Sequence, residues 1–246
     1  MQRLALLATV MLAAVPVVAA ERSFPNTGFT HVVIEGSDNA VIRKGGFSVV
    51  ASGETADLDQ LSVRQDGTTL RIGRKREGWR LRSKDVALMI SLPALAAVTV
   101  SGSGDVAVAD QAGTGGDVAL RVSGSGNLAV PAVQARALSA SISGSGNMAV
   151  GGVSAQTVAT ALSGSGDMAV AGRCTSLDAR LSGSGDLDTS RLACTDASVS
   201  TSGSGDVSLR ATGTVTARTS GSGDILVAGG ARCTSRSSGS GVIRCN

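Results

Sequence analysis

Seven residues of this chain recur at one place in a repeated motif and could together do chemistry: Asp105, Asn127, Asn147, Asp167, Asp186, Asp206 and Asp224. Each directly follows a Ser-Gly-Ser-Gly tetrapeptide. The last four are all aspartate. If consecutive copies stack, their carboxylates come about 5 Å apart and neighbours repel by roughly 0.8 kcal/mol in water. Three readings follow. An exposed bend accepts Asp and Asn because both tolerate unusual backbone angles. A row of oxygens at Asp167, Asp186, Asp206 and Asp224 is a candidate ladder for divalent cations. Two carboxylates at that separation also match the pair used in retaining glycoside hydrolysis. Sugar-cleaving clefts, however, use aromatic platforms and one carboxyl of raised pKa. This chain has three Phe, one Trp and no Tyr, and its carboxylates form a uniform row. The bend reading is therefore favoured, and no catalytic residue is expected. A Ser-His-Asp arrangement would need His31, the only histidine, which has no motif around it. An ice-binding face is disfavoured because the serines flank a bend and do not form a regular Thr array.

The motif itself says what positions these residues. SGSG starts at Ser101, Ser123, Ser143, Ser163, Ser182, Ser202, Ser220 and Ser238, at spacings of 22, 20, 20, 19, 20, 18 and 18 residues. Glycine-serine runs are common in flexible linkers, but a fixed period of this length signals stacked units. Around each copy the apolar residues alternate: Val98, Val100, Val106 and Val108, then Leu120, Val122, Leu128 and Val130, then Ala140, Ile142, Met148 and Val150. Period two is the strand signature. The expected fold is all-β, a parallel β-solenoid of about eight coils over residues 98–246, right-handed by the rule for parallel crossovers. By parity the SGSG glycines face inward, where the coil bends and the interior is too narrow for a Cβ. The inward position before SGSG becomes polar towards the C-terminus, from Leu162 and Leu181 to Thr201, Thr219 and Ser237. That suits a stack ending in water.

Residues 21–97 read as short strands joined by Gly and Asp turns, with a hairpin at "QDGTTL". They are expected to form an N-terminal β region that caps the solenoid and shares its core. Residues 1–20 read as a secretory signal peptide: Arg3, an apolar stretch, then the small residues Val18-Ala19-Ala20. The expected mature chain is exported, periplasmic or extracellular, without a transmembrane segment. Its formal net charge, +3 for the whole chain, points to no nucleic-acid partner.

Four cysteines in an exported chain predict disulfides. Cys174 and Cys194 each precede an SGSG by eight residues, so they share a column of adjacent coils at disulfide distance. Cys233 and Cys245 would staple the final coil. A basic cluster, Arg71, Arg74, Lys75, Arg76, Arg80, Arg82 and Lys84, surrounds Trp79. It is either an anion-binding patch for lipopolysaccharide or acidic glycans or, as the favoured reading, a charged edge that resists aggregation.

The N-terminal strands, "DGTTLRI", "ISLPALAAVTVSGSGDVAV" and the SGSGD/N coils resemble the bacterial auto-transporter adhesin family called the head GIN domain. The segment Pro93 to Gly104 carries the likeness most specifically. The resemblance implies an exported all-β protein of unestablished molecular function; the candidate partner is a cell-surface glycan or another envelope component. It implies no cofactor and brings no catalytic residues. No membrane-barrel sequence follows Asn246, so self-export is not expected. The function read from the chain is a non-enzymatic structural or adhesin-like binding module at the cell envelope; a carbohydrate-active enzyme on the same scaffold is the alternative.

Overall fold

The computed structural model describes residues 19–75 and 85–246. Nine strands build the N-terminal part: β1 (Ala20–Phe24), β2 (His31–Gly36), β3 (Asn39–Lys44), β4 (Ser48–Gly53), β5 (Leu61–Asp66), β6 (Thr69–Arg74), β7 (Ala87–Leu92), β8 (Ala97–Gly102) and β9 (Val106–Val108). One helical turn, α1 (Thr55–Leu58), lies between β4 and β5. From β8 onward the chain winds one coil per repeat into a parallel-stacked β-solenoid of about seven turns. The expected number was about eight. Eight SGSG corners bound seven complete turns, and after the last corner only Ile243–Cys245 is a strand.

Register in the stack is strict. Val122 lies over Val100 and beneath Ile142; Leu128 lies over Val106 and beneath Met148. All twelve alternating apolar residues of the first three coils are at most 5% exposed. A single cluster of buried side chains runs from Phe29 to Val227, so the N-terminal strands and the repeats share one core. Near the C-terminal end the hydroxyls at the polar inward positions are hydrogen-bonded, one to the next coil and two to their own corner. The Thr201 hydroxyl donates to Thr219 (2.8 Å), Thr219 to the Gly223 carbonyl (3.2 Å) and Ser237 to the Gly241 carbonyl (2.8 Å).

The corner glycines allow the bend and a close backbone approach, as expected, but the approach is to the next coil and not across a narrow interior. The first glycine of each SGSG has φ between +121° and +138°, where a side chain is strained. The second glycine, as at Gly166, is buried. A Cβ built on it would strike the carbonyl oxygen of Gly146 in the coil beneath, deep inside van der Waals contact. Crowding therefore acts chiefly along the stack axis, not across the interior. Strand spacing of about 4.8 Å leaves no room for a methyl group pointing at the next backbone.

Stack order departs from chain order at the N-terminal end. β2 pairs in parallel with both β6 and β8, and β3 with both β7 and β9. The first coil traced by the chain is thus the second layer of the stack, and β6–β7 lie beneath it. Antiparallel ribbons close that end: β5 on β6, β4 on β7, and β1 on β4.

This arrangement reveals a ninth corner. Glu35 and Gly36 are in register with Ser101 and Gly102, so "EGSDN" (Glu35 to Asn39) is a degenerate SGSGD. Asp38 stands where the second glycine belongs. Among the described residues its partners are the Arg74 guanidinium, paired to both carboxylate oxygens, and the Val86 N–H at 2.9 Å. Asp38 is 1% exposed. Asp57, also buried, flanks the same guanidinium, its Oδ1 3.9 Å from Nη1. Arg74 is held above the ordinary arginine range: burial opposes its charge, but the bond to Asp38 and the fields of Asp38, Asp57 and Asp85 outweigh it.

Candidate functional site

The aspartate column is one continuous ladder. At each corner the side-chain Oδ1 accepts the backbone N–H of the equivalent residue in the next coil. Eight successive bonds of 2.7–3.1 Å run from Asn39 through Asp105, Asn127, Asn147, Asp167, Asp186, Asp206 and Asp224 to the N–H of Val242. Where asparagine occupies the column its Nδ2 adds a second bond to the oxygen beneath: Asn127 to Asp105 (2.8 Å) and Asn147 to Asn127 (3.0 Å). The bend leaves one N–H per coil without a ladder partner, and a short side chain with an acceptor oxygen fills that place. Asp and Asn serve equally, which explains why both occur. At the top stands Val242, which offers no acceptor, so the ladder stops there.

The column is exposed from Asn39 to Asp206 and half-exposed at Asp224. The candidates Asp167, Asp186, Asp206 and Asp224 each commit Oδ1 to this bond. Among the described residues no group of three His, Cys, Asp or Glu side chains could hold a metal ion. Nor does the row contain two carboxyls in contrasting environments, the arrangement by which one fold separates a general acid from its partner. His31 lies on β2 beside Thr30, whose Oγ1 is 2.9 Å from Nδ1, four or more coils away from Asp167, Asp186, Asp206 and Asp224.

The cysteines pair as their columns require. Cys174 lies directly beneath Cys194, and the two are bonded with Cα atoms 4.5 Å apart. Cys233 and Cys245 are bonded across the last coil, Cα atoms 6.5 Å apart.

The basic cluster is only partly in view. Arg76, Arg80, Arg82, Lys84 and Trp79 lie outside the described residues. Arg71, Arg74 and Lys75 surround an open hollow of about 890 Å³ on the β5–β6 ribbon, joined there by Arg22 and Arg64. Sequence reasoning missed those two because they are distant in the chain and only strand pairing brings them in. It also missed how far acids compensate the group: Arg22 pairs with Asp59 at 2.6 Å, Arg71 with Glu35 at 3.1 Å, and Arg74 with Asp38. Asn39 and Asp38 were missed too, although "EGSDN" carries the signal once it is aligned as a corner.

Elsewhere three exposed or half-exposed aspartates are held below the usual carboxylate range by local hydrogen bonds: Asp188 chiefly by the Ser190 hydroxyl, Asp196 by the Thr214 hydroxyl and N–H, and Asp117 by Arg136. Each bond lies within a coil or between adjacent coils. Among the described residues no helix is long and apolar enough to cross a membrane.

Comparison with known proteins agrees with this architecture. The model of the family described as "Putative auto-transporter adhesin, head GIN domain" matches residues 28–231. The crystal structure of a "Putative lipid binding protein" from Parabacteroides distasonis is similar, with TM-score 0.84 and 21% identity over 94% of this chain and 98% of that one. A "putative adhesin" from the same organism gives TM-score 0.85 at 21% identity over 92% and 95%. Another from Parabacteroides merdae gives 0.87 at 16% over 94% and 98%. At these identities the likeness shows the fold. No curated protein matches the chain.

Proposed function

Starting from the fact that this chain belongs to the auto-transporter adhesin, head GIN domain family, we propose that it is an exported, non-enzymatic binding module of the bacterial cell envelope. The carrying observation is the Asx ladder. Among the described residues, the row with the chemistry for catalysis is a repeated backbone cap at successive coils. Such a row ties each coil to the next and supplies no distinct acid and base. Export is supported by the two disulfides, which persist in oxidising compartments, and by the signal-like N-terminus. Cleavage after Ala20 would leave Glu21–Phe24 of β1 still paired with β4. The neighbours described as adhesins and as a lipid-binding protein fit a surface that holds a ligand without transforming it.

The test combines location with binding. The native protein should fractionate with the periplasm or cell surface. The purified mature chain should retain particular glycans or envelope lipids on an array without cleaving them. Turnover of a labelled glycan, abolished by replacing one column aspartate with Asn, would reverse the reading in favour of a carbohydrate-active enzyme.

A further inference from the structure

The outward face of the last coils carries an unbalanced set of arginines. On the strand Arg232–Gly239 the residues Arg232, Thr234, Arg236 and Ser238 alternate outward, in register with Thr214, Thr216, Arg218 and Ser220 of the strand beneath. Val215, Ala217 and Thr219, between them, are buried, which fixes the other parity as the solvent side. Arg218 therefore lies directly under Arg236, about 4.8 Å away along the stack. Like charges set opposite one another destabilise a sheet. Among the described residues neither arginine has a hydrogen-bond or ion-pair partner, and nor has Arg232. The acids of the neighbouring coils are committed elsewhere: Asp178 accepts from Arg180 at 2.8 Å and Asp196 from the Thr214 hydroxyl at 2.6 Å. A guard against edge pairing would explain Arg232 and Arg236 on the final strand, but not Arg218, one coil inside it. A local rule broken without compensation marks a functional position more often than a structural one. The same column also holds Arg180 and Arg121. From Arg121 to Arg236 it climbs six strands in register, about 29 Å at the usual strand spacing. An unbroken column of serines, Ser123 to Ser238, runs beside it. Residues 85–246 are described without a break, and this end of the stack lies opposite β6 and β7, so every charge on the face is in view.

We propose that this face holds a linear acidic polysaccharide laid along the stack axis, its carboxylates on Arg218 and Arg236 and its hydroxyls against the serine column. Charge complementarity argues for an anion. The arginines stand in one line on a sheet surface of short side chains, which suits an extended ligand that repeats its charge. The hydroxyl rows offer donors and acceptors to sugar hydroxyls. Other anionic partners fit less well. No aromatic residue follows Trp79 in the chain, so unpaired bases would find no stacking platform. None of the large exposed apolar side chains lies on these strands, so nothing there would enter an anionic membrane. The proposal rests on the binding-module reading, names its ligand class and its place on the stack, and fails separately from it.

The experiment titrates the full mature chain, by calorimetry at low salt, with a polygalacturonate octamer, its methyl ester, monomeric galacturonic acid, a thymidine decanucleotide and phosphatidylglycerol vesicles. The octamer should bind at least tenfold more tightly than its ester or the monomer. It should lose most of that affinity in 1 M salt, where the Debye length is about 3 Å. Arg218→Gln should weaken it fivefold or more while leaving the melting temperature unchanged or raised, because one of two opposed charges is removed. Arg244→Gln changes an exposed arginine of the same final coil on the strand beyond the corner, and should leave binding unchanged. Equal binding of the ester would show that charge is not what is recognised and overturn the proposal. The decanucleotide or the vesicles bound as tightly as the octamer would assign the face to anions at large and overturn the polysaccharide. An equal loss in Arg244→Gln would trace the affinity to net charge, and an Arg218→Gln protein that binds as wild type would reduce the arginines to edge guards; either result overturns the proposal. Failure of every acidic probe alongside retention of a neutral glycan would sink this face and leave the binding-module reading standing.

Discussion

Replacing Asp186 with Asn should stabilise the protein, and replacing it with Ala should not. Asp186 accepts the Asp206 N–H at 2.9 Å and donates its own N–H to Asp167 at 3.0 Å. Its carboxylate has charged neighbours above and below. At about 5 Å each repulsion is worth about 0.8 kcal/mol in water, falling to about 0.4 at 0.15 M salt, where the Debye length is about 8 Å. Relief of both is therefore about 0.8 kcal/mol. Asn keeps the acceptor oxygen and gains an Nδ2 donor aimed at Asp167, as Asn127 already bonds Asp105. Against that, a neutral acceptor is weaker than a charged one by about 0.5–1 kcal/mol, an amount the new bond offsets. The net expectation for Asn is a gain of about 0.5–1 kcal/mol, or about 2–3 °C for a chain of this size. Ala enjoys the same relief but loses the acceptor, so it should fall about 1 kcal/mol below Asn. In 1 M salt the Debye length shortens to about 3 Å and the two repulsions together fall to about 0.3 kcal/mol, so the advantage of Asn should shrink. Thermal melts of the three proteins at both salt concentrations, with and without millimolar calcium, decide the matter. Asn and Ala variants equally below wild type would refute the ladder account. A calcium-dependent rise of several degrees in wild type, lost in Asn, would show the column to be a cation site.

Other outcomes follow from the same geometry. Gly166→Ala should lower the melting temperature by several degrees, because its Cβ collides with the Gly146 carbonyl, whereas exposed Ser165→Ala should change it by under 1 °C; equal effects would contradict axial crowding. Arg74→Ala removes the guanidinium that pairs with both oxygens of buried Asp38 and should cost about 3–5 kcal/mol, seen as a lowered denaturant midpoint; a neutral result would mean water reaches Asp38. Unreduced peptide maps should join Cys174 to Cys194 and Cys233 to Cys245, and the Cys174→Ser/Cys194→Ser double variant should lose roughly 3 kcal/mol for its 20-residue separation.

Periodicity was enough to determine the solenoid. Apolar residues at every second position and a corner every 18 to 22 residues admit one economical solution: strands stacked in register, with Cys174 over Cys194 as an arithmetic consequence. The role of the corner residues was not legible in the same way. Parity of Gly166 places it inside, but the contact that excludes a side chain comes from Gly146 in another coil, and no local pattern states it. The aspartates look alike as a ladder of charges and as a ladder of caps; only the position of each Oδ1 against the next N–H distinguishes the two. Least legible was the N-terminal end. There β2 is sandwiched between β6 and β8, so stack order and chain order part company. The buried Asp38–Arg74 pair and the meeting of Arg64 with Arg71 depend on pairings between segments whose separation follows no period. Tertiary structure alone decided them, because strand pairing acts on distance in space, and a repeat predicts that distance only where the chain advances one coil at a time.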